Sequence, residues 1–94
     1  MVRVLIERRI AGGMVEGFRL ALRNMRLQAT PKHGYISGES LQDHADPHHY
    51  YVISTWNSVR AWQEWEDSEA RRSVMATIGP MLEEPEKITI LEPV

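Results

Sequence analysis

The stretch His49-Tyr50-Tyr51-Val52-Ile53-Ser54-Thr55-Trp56-Asn57-Ser58 decides the fold. Its first eight residues are rich in β-branched and aromatic side chains, which fill a pleated and partly buried surface, so they predict a strand. Tyr50, Val52 and Trp56 fall on one parity, and Tyr51, Ile53 and Thr55 on the other. Side chains of a strand alternate between its two faces, so this strand is apolar on both sides and needs cover on both. Asn57-Ser58 then supplies the chemistry that caps a helix start, and Val59, Trp62 and Trp65 follow at helical spacing.

Working back toward the N-terminus, Val2, Val4, Ile6 and Ile10 share one parity while Arg3, Glu7 and Arg9 share the other, which predicts a strand over 2–10. Ala11-Gly12-Gly13 breaks it. From Met14 to about Gln28 the period becomes helical, with Met14, Phe18, Ala21 and Met25 on one side and Arg19, Arg23 and Arg26 on a separate, solvated stripe. Thr30-Pro31 ends this helix, because the residue before proline is pushed out of the α region. Gly34 to Leu41 reads as a second strand, weakened by Gly38, which marks a bulge or a close approach. Asp43 to Pro47 is a polar turn.

Beyond the deciding stretch, Ser68-Glu69 is a second cap, so the helix kinks and restarts with Val74, Ile78, Met81 and Leu82. Gly79-Pro80 interrupts it, Lys87 to Leu91 is the last strand, and Glu92-Pro93-Val94 is a tail. The order strand–helix–strand–strand–helix–strand is that of an α+β, ferredoxin-like βαββαβ domain with a four-stranded antiparallel sheet. There both helical regions cover one face of the sheet. No second helical layer exists in residues 1–94, so a second copy of the sheet is the simplest cover for the other face. The expected assembly is a homodimer.

Ninety-four residues make one domain, and a core this small argues for self-association. A net charge of −2 is not that of a nucleic-acid-binding surface. The chain has no cysteine, hence no disulfide, thiolate metal site or cysteine nucleophile. The N-terminus is too polar for a signal peptide, and no apolar run reaches the length of a membrane span, so the expected location is the cytoplasm.

Three sets of residues stand out as candidates for chemistry. Trp56, Trp62 and Trp65 cluster at one strand–helix junction; each is either core or the flat wall of an aromatic-binding pocket. Arg8 lies on the parity of Val4, Ile6 and Ile10, so its guanidinium either snorkels out at the strand end or faces a cavity, where it would stabilise a phenolate or carboxylate. His33, His44, His48 and His49 flank the second and third strands. Metal ligands must converge, and adjacent histidines at a strand start point apart, so no metal is expected. His33 or His49 is the candidate base, because an imidazole titrates near neutral pH; a solvated turn histidine is the alternative.

The runs Gly34-Tyr-Ile-Ser-Gly-Glu39, Tyr51-Val-Ile-Ser-Thr-Trp56-Asn-Ser58 and Ala61-Trp62-Gln-Glu-Trp65-Glu-Asp-Ser68 resemble the antibiotic-biosynthesis monooxygenase superfamily. The resemblance covers nearly the whole chain and implies a dimeric α+β barrel made of two such sheets. It also implies oxygenation of a small aromatic molecule, although the superfamily includes cofactor-independent oxygenases, haem degraders and members of no known activity. Haem degraders of this kind carry an Asn on the first strand and a Trp and a His ten residues apart on the second helical region. Here Trp65 matches the Trp, Met75 stands where the His belongs, and Arg8 falls near the Asn. Two of three positions depart, and a thioether is a poor substitute for an imidazole ligand, so haem degradation is disfavoured.

The reading that follows is cofactor-free monooxygenation of a hydroxylated aromatic of hydroquinone or anthrone type. Phe18, Trp56, Trp65 and Met75 would wall the pocket, Arg8 would hold the anion, and His33 or His49 would act as base. The rival reading is a non-catalytic module that binds an aromatic molecule or oligomerises.

Overall fold

Alternation of Val2, Val4 and Ile6 with Arg3, Leu5 and Glu7 produces β1 (Val2–Arg9), whose even-numbered residues are buried. A computed structural model describes residues 1–94 and continues with α1 (Val15–Ala29), β2 (Tyr35–Gln42), β3 (His49–Trp56), α2 (Val59–Glu66), α3 (Glu69–Ile78) and β4 (Lys87–Leu91). The strands form one antiparallel sheet in the order β2-β3-β1-β4. This is the expected ferredoxin-like βαββαβ arrangement. The predicted kink in the second helical region is a full break, with Ser58 and Ser68 each capping a helix by accepting from the backbone N–H three residues on. A single 3-10 turn, Gly79–Met81, follows where Gly79-Pro80 stops α3.

Register fixes which side chains meet. Val2 pairs with Trp56, Val4 with Ser54, Ile6 with Val52 and Arg8 with Tyr50, so these residues of β1 and β3 share the helix-covered face. α1 buries Phe18, Ala21, Met25 and Ala29. α2 contributes Ala61, Trp62 and Trp65, and α3 contributes Val74 and Ile78. All belong to one core cluster. The opposite parity, with Leu5, Tyr51 and Ile53 at its centre and Leu41 and Leu91 on the edge strands, has no helical layer; Leu41 and Leu91 are exposed. No helix is long and apolar enough to cross a membrane.

Two glycines carry the junction between β2 and its neighbours. Gly38 lies beside the irregularity in the β2–β3 register between Tyr35 and Ser37, and a Cβ on it would stand 2.7 Å from the Tyr35 hydroxyl. Gly34 has φ +83°, and a Cβ there would lie 2.4 Å from the Ala61 Cβ. That contact seats the entry of β2 directly on α2. Gly34→Ala therefore combines an unfavourable backbone region with a collision between two rigid groups, and is expected to destabilise the fold by about 2–4 kcal/mol. Urea denaturation checks this: the midpoint should fall while the slope stays constant.

Candidate functional site

The third strand ends and the second helix begins around Trp56, and three aromatic rings gather on it. Tyr35 meets it edge-on at 5.3 Å between centroids, Trp62 edge-on at 5.8 Å, and Trp65 lies near-parallel at 6.5 Å. Trp56 donates its indole N–H to the Ser54 hydroxyl at 3.0 Å. The Trp62 indole nitrogen is buried and has no hydrogen-bond partner. These rings border a cavity of about 50 Å³ between the sheet and α1, shared with Arg8 and Arg71.

Arg8 does not snorkel. It is 3% exposed, and its Nε donates to Glu86 Oε1 at 3.0 Å. Glu86, in the segment before β4, gives its other oxygen to Arg71 Nη2 at 2.9 Å. One carboxylate thus joins two buried guanidinium groups, and the cluster carries a net charge of about +1, since arginine stays protonated. Burial pushes Arg8 below the usual arginine range, Glu86 opposes that shift, and the neighbouring charge of Arg71 adds to it. The Arg71 guanidinium also lies over the Trp62 ring, 5.5 Å from its centroid. Arg8 Nη1 is buried with no acceptor.

Two unsatisfied donors, Arg8 Nη1 and Trp62 Nε1, therefore belong to residues lining the same cavity. Each costs on the order of 1–3 kcal/mol when buried. Burial of one tryptophan ring, about 150–250 Å² at about 25 cal/mol/Å², contributes roughly 4–6 kcal/mol, so the aromatic packing tolerates them.

The expected site residues divide. Arg8, Trp56 and Trp65 come together at the cavity. Phe18 does not line it; its ring is fully buried against Tyr50, 5.1 Å away and edge-on. Met75 stands behind Arg8, its sulfur 4.0 Å from Nη2, and is outside the lining. His33 is exposed in the turn before β2. His49 pairs with Arg9, which puts it on the uncovered face of the sheet, where its ring lies against Tyr51 at 4.5 Å. Neither histidine borders the cavity, because strand parity carries His49 away from the helices and the turn carries His33 outward.

Arg71, which the sequence did not single out as a candidate, is 6% exposed. Its spacing held the signal: Arg71, Val74 and Ile78 recur at three and four residues, so Arg71 shares their buried stripe. Glu86 had no periodic signal, since it lies in an irregular segment.

The family model for antibiotic biosynthesis monooxygenase matches residues 1–77. None of the curated proteins matches the chain in sequence. Among solved structures, a conserved protein from Methanosarcina mazei superposes with a TM-score of 0.93 at 14% identity, covering 99% of this chain and 92% of its own. Rv0793 from Mycobacterium tuberculosis gives 0.89 at 19%, covering 99% and 94%. A variant of SnoaB, a cofactor-independent oxygenase from Streptomyces nogalater, gives 0.88 at 10%, covering 98% and 91%. At these identities the likeness is one of fold.

The ion cluster makes opposite demands on its members. Glu86→Gln leaves two guanidinium groups buried without a counter-charge and is expected to cost about 3–5 kcal/mol. Arg8→Met leaves a neutral Arg71–Glu86 pair and removes one desolvated charge, so its stability should match or exceed the wild type by about 1 kcal/mol. Paired urea denaturation curves check both signs.

Proposed function

We propose that this chain, which belongs to the antibiotic biosynthesis monooxygenase family, oxygenates a hydroxylated aromatic small molecule without metal or organic cofactor. The observation that carries the reading is Arg8 Nη1, a buried cationic donor with no acceptor on a residue bordering a tryptophan-lined cavity. An anthrone- or hydroquinone-type substrate becomes reactive toward O₂ once it is an anion. A guanidinium at its oxygen favours that anion and lowers the pH at which it forms. For an anthrone the anion transfers one electron to O₂, and the two radicals join as a peroxide at the ring carbon. Loss of water then leaves a quinone carbonyl, so substrate and O₂ give quinone and one water. The protein's part is to hold the oxygen at Arg8, enclose the oxygen-bearing edge of the ring beside Trp56 and Trp65, and exclude solvent. The likeness to SnoaB, itself a cofactor-independent oxygenase, supports this class of chemistry by analogy.

One observation favours the second reading, binding without turnover: no histidine borders the cavity. A pH–rate profile separates the two, because catalysis through an anion must show its ionisation. The primary test is oxygen uptake by the purified protein with anthrone-like phenols. Sustained uptake should fall at least about 100-fold in Arg8→Met, with the variant's circular dichroism unchanged. Uptake no faster than the protein-free blank, in the presence of a bound phenol, assigns the cavity to binding alone.

A second copy of the chain is the proposed partner for the uncovered sheet face, where Leu5, Tyr51 and Ile53 form an apolar centre. Ile53→Lys places a charge in that contact and should convert dimer to monomer in sedimentation velocity. A wild type that already sediments as a monomer removes the proposal.

A further inference from the structure

The inner cavity is too small to be the whole site. About 50 Å³ admits the oxygen-bearing edge of a ring, whereas pockets for small molecules run to about 300–1,000 Å³. Beside it, between α1 and β2, lies an open cleft of about 360 Å³. The two share Leu22, Arg26 and Ser40, so they adjoin, with the small cavity on the inner side of the cleft.

The outer cleft is lined by three arginines of α1, Arg19, Arg23 and Arg26. The sequence pattern reads them as a solvated stripe, yet two of them reach over to the sheet. Arg19 donates from Nε to the Tyr50 hydroxyl at 3.2 Å and from Nη2 to Gln42 Oε1 at 3.3 Å. Arg26 crosses from α1 to donate to the Gly38 carbonyl of β2, at the boundary of the two cavities. None of the three forms a salt bridge; the ion-paired arginines are Arg8, Arg9 and Arg71. Glu39 borders the inner cavity but pairs with Ile53, a residue of the uncovered face, and joins no ion pair. On a chain of net charge −2, three guanidinium groups without a carboxylate around one cleft are a local exception.

We infer that this groove binds an anionic arm, a carboxylate or phosphate, carried by the same molecule whose aromatic end enters the inner cavity. The inference rests on the cavity's being the aromatic site. The substrate class narrows accordingly, from a hydroxylated aromatic to one bearing an acidic side chain. Arg23 is the free donor, and Arg19 and Arg26 hold neutral acceptors that an anion outcompetes, since hydrogen bonds to charged acceptors are the stronger ones.

Two probes separate the groove from the cavity: the monobutyl ether of 1,5-dihydroxynaphthalene and its mono(3-carboxypropyl) ether. Each keeps one phenol, and only the second carries an acid. Binding is read from quenching of tryptophan fluorescence, because all three tryptophans border the inner cavity. The acid should bind about tenfold more tightly than the neutral ether, and this advantage should vanish in Arg23→Gln and shrink in roughly 0.5 M salt. Equal affinities in the wild type, or an advantage that survives Arg23→Gln, overturn the groove and leave the aromatic site standing. If neither ether binds, the aromatic site fails, and inorganic pyrophosphate then judges the groove by side-chain N–H shifts in NMR. Shifts at Arg19, Arg23 and Arg26 sustain the groove, and their absence overturns it.

Discussion

One carboxylate held between two guanidinium groups organises the interior. Glu86 lies before β4, Arg8 is on β1, and Arg71 is on α3, so their shared contact ties the last strand and the third helix to the centre of the sheet. Hydrophobic packing alone is non-directional and would accept several relative positions of these elements. The paired charges accept few, because any displacement that lengthens one contact exposes a buried ion to an apolar surrounding. The aromatic cluster around Trp56 is then built against a fixed wall, with Arg71 over the ring of Trp62.

The cluster is also unbalanced by design of its membership. Two cations share one anion, so the cavity they border is electropositive although the chain as a whole is acidic. The outer arginines extend the same sign along α1. A negatively charged molecule approaching the depression meets attraction first from groups near solvent, where screening is strong, and then from groups in a low-dielectric interior, where it is weak. Sheet, helices and charge gradient thus point one way, from the open cleft toward Arg8.

Much of this was legible in the residues. Strand parity placed Arg8 beneath the helices, and β3 matched its expected limits because tyrosine, valine, isoleucine and threonine all favour one pleated conformation. The two serine caps were readable for a similar reason, since a hydroxyl at that position has one good local partner. What escaped was whatever depended on tertiary proximity. Phe18 lies on the apolar stripe of α1, and its position along that stripe sends it to Tyr50 rather than to the tryptophans. His49 is chemically suited to proton transfer, yet parity fixes it to the other side of the sheet. Glu86 sits where no periodicity operates, so only the folded chain reveals it as the partner of two arginines that are 63 residues apart, at positions 8 and 71.

The unpaired nitrogen of Arg8 has a consequence for how such a chain changes over generations. Natural folds sit just above a stability threshold, so substitutions that relieve a burden stay within easy reach. A desolvated cation with an idle donor is a burden of that kind, and a single replacement by an apolar side chain relieves it while leaving Glu86 neutralised by Arg71. A descendant that lost this arginine would keep the rest of its core.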